Sequence, residues 1–437
     1  MACSSPGETS WPGEIRTRAR AAATAEMPAR VSASLHTCRR SAIEKGEDVE
    51  QLDRNPCRAG ASAAEAAHAG PKLDRSAIEA IVRSGKRLLV QGAMGIHASD
   101  GLSGRVAAVN GPRLVGVGTI SAVLKSEELL RAEIRRARAD APSGFIGLNL
   151  MAAINRIDFD NYLRISFEEG ISFIVQGAGI SRDVVKECRE AGVPFAGIVS
   201  SGRLAKMYEK WGAEFLVAEG AEAGGHIGDV DHPLPALLAD VLAHSSLPIV
   251  AAGGIDAEDL PSYFAMGAAG AQLATRFLAC SDGDVHPNFK RMHLGRGEAD
   301  VTLITSCVKG MNARAVRNAF TDALAAGKAF PPRSKAWFYG KEGFFGRRKA
   351  CIECLATDVC LCRASDYRKS FCITDALLAA AIKGDVENGL FYTGQSVTRI
   401  PEVSAEALPS VQDIFDMLDA TLAAAGCELA TSRNTST

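Results

Sequence analysis

The chain has 437 residues, of which 47% are hydrophobic and 23% charged, with a formal net charge of −2. Such a chain can bury a large core, either as one barrel with an appendage or as several domains, and its near-neutral charge excludes a global pull toward nucleic acid or an anionic membrane. No apolar run approaches the ~20 residues that span a bilayer, and 12 cysteines in a chain this long are not the dense framework of a small secreted domain.

Residues 1 to 75 stand apart. They are rich in Ala, Arg and Ser and lack sustained apolar periodicity, and Arg16, Arg18, Arg20, Arg30, Arg39 and Arg40 make them basic. An organellar transit peptide is one reading. Glu8, Glu14 and Glu26 oppose it, because such peptides are poor in acids, and a disordered extension is the other. A reducing compartment, cytoplasmic or organellar, is expected.

From Arg87 onward, short runs that are apolar on both faces read as parallel strands: Arg87–Gln91, Leu114–Ile120, Phe145–Leu150, Ile171–Gln176, Val193–Val199, Glu214–Ala218, Leu247–Ala252 and Ala269–Ala274. Between them lie amphipathic segments with helix signals. Ser126–Ala139, Phe159–Glu169, Ser181–Ala191, Ser201–Trp211, Pro233–Ala243 and Asp256–Met266 carry caps at Ser181, Ser201 and Asp256, and stops at Gly192, Gly212 and Gly267. Eight such alternations predict an α/β fold, a (β/α)8 TIM barrel over 76–285. The rival doubly wound sheet announces itself with a glycine fingerprint after the first strand, and Gly92-Ala-Met-Gly95 is not one. Residues 286–345 read as a helical, substrate-side segment. Residues 346–437 read as a cysteine-containing tail with helices over Thr374–Lys383 and Ser410–Ala424, and that tail is expected to pack over the barrel mouth.

Three strand ends are rich in glycine: Gln91–Gly95, Ala251–Ile255 and Gly270–Arg276. In a barrel the loops after strands seven and eight commonly cradle phosphate on main-chain N–H groups. Thr275 could add a hydroxyl and Arg276 a charge; the alternative is that these glycines only close tight turns. The sixth strand runs into Glu219-Gly-Ala-Glu-Ala-Gly-Gly-His226, where glycines permit a tight turn that delivers an imidazole, the side chain suited to proton transfer near neutral pH.

Taken together, Gln91–Gly95, Gly147-Leu-Asn149, Gln176-Gly-Ala-Gly179, Glu219–His226, Ala251–Ile255 and Ala274-Thr-Arg-Phe277 resemble the nitronate monooxygenase family, formerly 2-nitropropane dioxygenase, and its sister flavin-dependent enoyl-ACP reductases. The resemblance runs from about Leu88 to Phe320. It implies an FMN-binding barrel with His226 as the catalytic residue. It implies that Gly92, Ala93, Met94, Asn149, Gln176, Gly177, Gly224 and Gly225 lie along the flavin, with Gly253, Gly254, Ala274 and Thr275 at its phosphate. Ala93 stands where the family usually has glycine, and His97 where it generally has a small residue. Ser306-Cys-Val-Lys-Gly-Met-Asn-Ala-Arg314 departs from the family pattern on the substrate side.

The expected activity is FMN-dependent oxidation of a small nitronate or nitroalkane by molecular oxygen. An NAD(P)H-dependent enoyl-thioester reductase and a non-catalytic flavin-binding subunit are the alternatives. No nucleic-acid or membrane partner is expected, and a homo-oligomer is a state the sequence allows. Cys351, Cys354, Cys360, Cys362 and Cys372 crowd together, but their spacing fits no standard ligand set, so no metal is assigned.

Overall fold

The computed structural model describes residues 70–95, 101–123, 125–151, 156–177, 179–305, 312–327 and 373–426. The chain divides into two compact units, Met1–Ala64 and Glu65–Thr437, and every described residue belongs to the second. Residues 1–69 of the N-terminal extension, His97 and the cysteine cluster lie outside the described residues; the last residues of that extension, 70–75, belong instead to the barrel, with Leu73 buried in its core and Asp74 capping the helix Arg75–Arg83.

Eight parallel strands close into a barrel: β1 (Arg87–Gln91), β2 (Leu114–Ser121), β3 (Phe145–Met151), β4 (Phe173–Gly177), β5 (Phe195–Val199), β6 (Phe215–Glu219), β8 (Ile249–Ala252) and β9 (Gly270–Leu273). These are the eight expected strands, with ends shifted by a few residues at most. Closure comes from β1 against β9, with Leu88 opposite Gly270 and Gln91 opposite Leu273.

Side chains alternate across each strand, and both faces are buried. Leu88, Val90, Val117, Phe173, Val175, Phe215, Val217 and Val250 fill the barrel interior. There Phe173 and Phe215 meet edge to face with centroids 5.3 Å apart. The intervening residues, including Leu89, Ile120, Leu148, Ile174 and Leu216, pack outward against the helices. Each fully buried aliphatic side chain contributes roughly 1.5–3 kcal/mol.

The helices begin where the sequence supplies caps. Ser126 accepts from Leu129 N ahead of Glu127–Asp140, and Ser201 from Leu204 N ahead of Gly202–Trp211. Ser181 departs from expectation. It occupies the N-cap position of Arg182–Glu190, but its hydroxyl makes no cap bond, and its main-chain N–H donates to Gln176 Oε1 instead. Asp256 caps a 3-10 turn, Ala257–Asp259, which leads into the helix Leu260–Met266.

Residues 286–345 are not wholly helical. A short helix, Pro287–Arg291, is followed by β10 (Val301–Thr305) and β11 (Asn312–Val316), and then by the helix Ala319–Ala325. β10 and β11 are antiparallel, and β11 pairs in turn with β7 (Gly225–Ile227) to make a three-stranded sheet. Asn-Ala-Arg-Ala-Val has weak intrinsic strand preference; pairing on both sides makes it a strand.

The tail also divides. Leu377 and Tyr392–Gly394 reach the barrel mouth, as expected of the appendage. The last helix, Val411–Ala424, instead joins the outer layer, burying Val411, Ile414, Phe415, Leu418 and Leu422 against the barrel's helices. Asp419 accepts from Arg113 N and Nη1, both at 2.9 Å. Among the described residues no helix is long and apolar enough to cross a membrane.

Candidate active site

A cavity of about 550 Å³ opens at the C-terminal ends of the barrel strands. Its floor follows from alternation. The inward set that begins with Val117 on β2 ends with Thr119 and Ser121; that of β3 ends with Asn149 and Met151; that of β6 with Glu219; that of β9 with Gln272. Thr119 Oγ1 is buried and has no hydrogen-bond partner among the described residues.

Of the residues singled out from sequence, Ala93, Met94, Asn149, Gly177, Gly224, Gly225, His226, Ala274 and Thr275 line this cavity together. Gly92, Gln176, Gly253 and Gly254 do not. Gln176 has the opposite phase on β4 to Val175 and Gly177, so its side chain enters the helix layer, where Oε1 accepts from Ser181 N at 3.1 Å and from the Tyr208 hydroxyl at 3.4 Å. Gly254 lies against the turn that carries His226. It has φ +66°, and a Cβ there would come within 2.5 Å of Glu222 Cβ. Arg276 is also turned away from the cavity. Its guanidinium grips both carboxylate oxygens of Asp256, so its charge supports the loop after β8 and is not free for a phosphate.

The turn from Glu219 to His226 is held from several sides. Arg314 on β11 donates from Nη1 to the carbonyls of Ala221 (2.6 Å) and Ala223 (2.5 Å). Glu222 Oε2 accepts from Leu234 N, and its carbonyl accepts from Gln395 N. His226 itself lies on β7 opposite Ala313. The Tyr392 ring meets the imidazole edge-on, with centroids 5.6 Å apart and planes at 66°. His293, fully buried, places Nδ1 2.9 Å from Phe289 O and Nε2 3.0 Å from Tyr392 O, which fixes the main chain beneath that tyrosine. Gly394 N donates to Thr275 Oγ1 at 2.9 Å, joining the tail to the strand β9 loop.

Burial controls the electrostatics. It lowers the pKa of His226 to about 4, so the imidazole is neutral over most of the working pH range. It pushes the Glu219 carboxyl up to about 7. Among the described lining residues the titratable ones are Glu219, His226 and Tyr392, and no Lys, Arg or Asp is present. Sequence reasoning assigned no role to Glu219, Thr119, Gln272, Tyr392 or Gly394. The signal for the first three was present as the period-two phase of their strands. Tyr392 and Gly394 reach the site only through contacts distant in sequence.

Residues 82–418 match the nitronate monooxygenase family. A hydroxy-methyl-oxo-octahydroindene-carboxyl-CoA dehydrogenase of Mycobacterium tuberculosis is 30% identical over 50% of this chain and 63% of its own length, just under two thirds of that relative. The enzyme of the same name from Rhodococcus jostii is 26% identical over 70% of this chain and 88% of its own length. Nitronate monooxygenase of Paraburkholderia phytofirmans is 35% identical over 35% of this chain and 43% of its own length. The fold is shared with FabK from Thermotoga maritima, at a TM-score of 0.62 and 24% identity over 80% of this chain and 98% of that one. It is shared also with nitroalkane oxidase from Streptomyces ansochromogenes, at a TM-score of 0.57 and 22% identity over 78% of this chain and 97% of that one. FMN is the cofactor of proteins of this kind. The match over most of its length places this chain in the nitronate monooxygenase family, as an oxidoreductase.

Proposed function

We propose that this chain is an FMN-dependent oxidoreductase that oxidises a small nitronate or nitroalkane with molecular oxygen. The observation that carries this reading is the single cavity shared by His226 and the inward polar ends of β2, β3 and β9. The residues present fit the flavin. The Thr119 hydroxyl, which has no partner among the described residues, and the Asn149 and Gln272 amides offer a heteroaromatic ring donors and acceptors within the barrel mouth. Ala274, Thr275 and Gly394 contribute small side chains or none to one part of the lining, where a Cβ on Gly394 would come within 3.1 Å of Thr275 Oγ1. With no Lys or Arg in the described lining, main-chain and hydroxyl donors would hold the phosphate.

Bound FMN supplies the electron acceptor. The protein supplies the proton chemistry and the surroundings. A neutral His226, its pKa lowered to about 4 by burial, takes the α-proton of a nitroalkane. Met94, Ile180, Ile198, Leu204 and Leu377 wall the site with apolar surface.

The test is the visible spectrum of the purified protein, recorded without oxygen before and after addition of nitronate, nitroalkane and then NADPH. A yellow protein bleached by nitronate is expected. His226→Ala or His226→Asn should slow bleaching by nitroalkane roughly 10²–10⁴-fold while leaving bleaching by preformed nitronate. Equal rates with nitroalkane would remove the histidine's role as base.

A second reading is oxidoreduction of an acyl thioester. It is supported by the two CoA-thioester dehydrogenases among the relatives and by the apolar wall, which suits an acyl group. Bleaching by NADPH followed by reoxidation with crotonyl-CoA would favour it.

A further inference from the structure

Glu219 has no role in the proton transfer assigned to His226, yet its side chain is the only carboxyl in the described lining of the cavity. Its strand fixes its direction: Phe215 and Val217 belong to the barrel interior, and Glu219 is the next inward position. We propose that Glu219 is a specificity-determining residue that sorts ligands of this cavity by charge: as a carboxylic acid it donates to an oxygen of a planar anion, and as a carboxylate it excludes that anion.

Three observations support this. No Lys, Arg or Asp shares the described lining, so an anion entering the cavity meets no fixed positive charge. The Thr119 hydroxyl in the same floor, without a partner among the described residues and offered above to the flavin ring, shows that this floor is directed at bound ligand and not at the protein. Burial holds the Glu219 carboxyl at a pKa of about 7, where modest changes in pH switch its form.

Among the described residues, the neighbouring charged groups leave that switch to Glu219. In the cavity, His226 on β7 titrates far lower, near 4, and Tyr392 is the third titratable group. Glu222, three residues on, turns its carboxylate to Leu234 N. Arg314 on β11 spends its guanidinium on the Ala221 and Ala223 carbonyls. The flanking strands, β5 and β8, carry no titratable side chain.

The proposal rests on the FMN reading above, because the flavin reports ligand binding. The experiment uses the FMN-loaded full chain and two inert probes of similar size, inorganic nitrate as the planar anion and acetamide as the neutral control. Binding of each is followed by flavin difference spectra between about pH 5.5 and about pH 8.5. The apparent nitrate Kd should rise about tenfold per pH unit above about pH 7, as the competent fraction falls, while the acetamide Kd stays level. In Glu219→Gln, which keeps a donor and cannot ionise, the nitrate Kd should be flat.

A wild-type nitrate affinity that ignores pH, or a dependence equal for nitrate and acetamide, overturns the proposal without recourse to the variant. So does Glu219→Gln with an unchanged slope. A chain that takes up no FMN at all sinks the flavin reading and this proposal with it, and its lack of colour distinguishes that failure from the others.

Discussion

The Tyr392 ring stands edge-on to the His226 imidazole, 5.6 Å between centroids, although 166 residues separate them in the chain. The contact places one side of the imidazole against protein, and burial is what depresses its pKa. Tyr392→Phe keeps the ring edge, so the acid limb of nitroalkane-driven flavin reduction should remain near pH 4. Tyr392→Ala admits water to the imidazole, and the limb should move upward toward the ordinary histidine value of 6.5. Anaerobic reduction rates measured across the acid range decide this; an unmoved limb in Tyr392→Ala would mean that other surfaces desolvate the ring.

Arg314 binds the turn ahead of His226 through two carbonyls at once. Charge-assisted hydrogen bonds contribute roughly 1.5–3 kcal/mol each. Arg314→Met leaves both carbonyls without this donor and should lower unfolding stability by about 2–4 kcal/mol. Arg314→Lys offers a point donor in place of a planar fork and should recover only part of that loss. Urea unfolding of the three proteins measures it. Equal midpoints for Arg314→Met and wild type would show that the turn holds without the clamp.

The barrel was legible because its strands are apolar on both faces and punctuated by glycines, a pattern that needs no tertiary information. The site was legible in part. Asn149 was placed by resemblance and does face the cavity, whereas Gln176 faces Tyr208, a difference of one residue in strand phase. That phase is fixed by closure of the barrel, with Leu88 opposite Gly270, and closure is a property of the whole chain. The small sheet escaped notice for a related reason. The three residues of β7, Gly225 to Ile227, and an alanine-rich β11 become strands only in each other's company. Nor does anything in the sequence around His293 point to its role, because its partner Tyr392 O lies 99 residues on.

Burial moves two groups of the site in opposite senses, which predicts how stability depends on pH. Glu219 is raised from 4.5 to about 7. Its contribution is therefore complete below about pH 4.5 and is lost as pH rises through about 7. His226 is lowered from 6.5 to about 4. Its contribution is complete above about pH 6.5 and is lost as pH falls through about 4. Urea midpoints taken across this range should fall toward alkaline pH less steeply in Glu219→Gln than in wild type. They should fall toward acid less steeply in His226→Asn. Curves that superimpose would mean that neither group is desolvated in the folded chain.

Gly224 connects the histidine turn to the tail through main-chain contact alone. A Cβ at this position would come within 2.4 Å of Thr393 C and 2.5 Å of Gly394 N. Neither atom can move aside by a change of rotamer, so Gly224→Ala must push the two segments apart. Overpacking of this kind costs about 1–3 kcal/mol. The displacement falls on Gly394 N, which donates to Thr275 Oγ1 at the proposed phosphate corner. FMN affinity should therefore weaken by about tenfold or more, equivalent to about 1.4 kcal/mol. Gly297→Ala serves as the control, since the nearest atom to its Cβ is Asp300 Oδ2 at an ordinary 3.8 Å. It should bind FMN as the wild type does. Fluorescence titration of FMN against the three proteins reads the difference. Wild-type affinity in Gly224→Ala would show that the tail does not help to hold the cofactor.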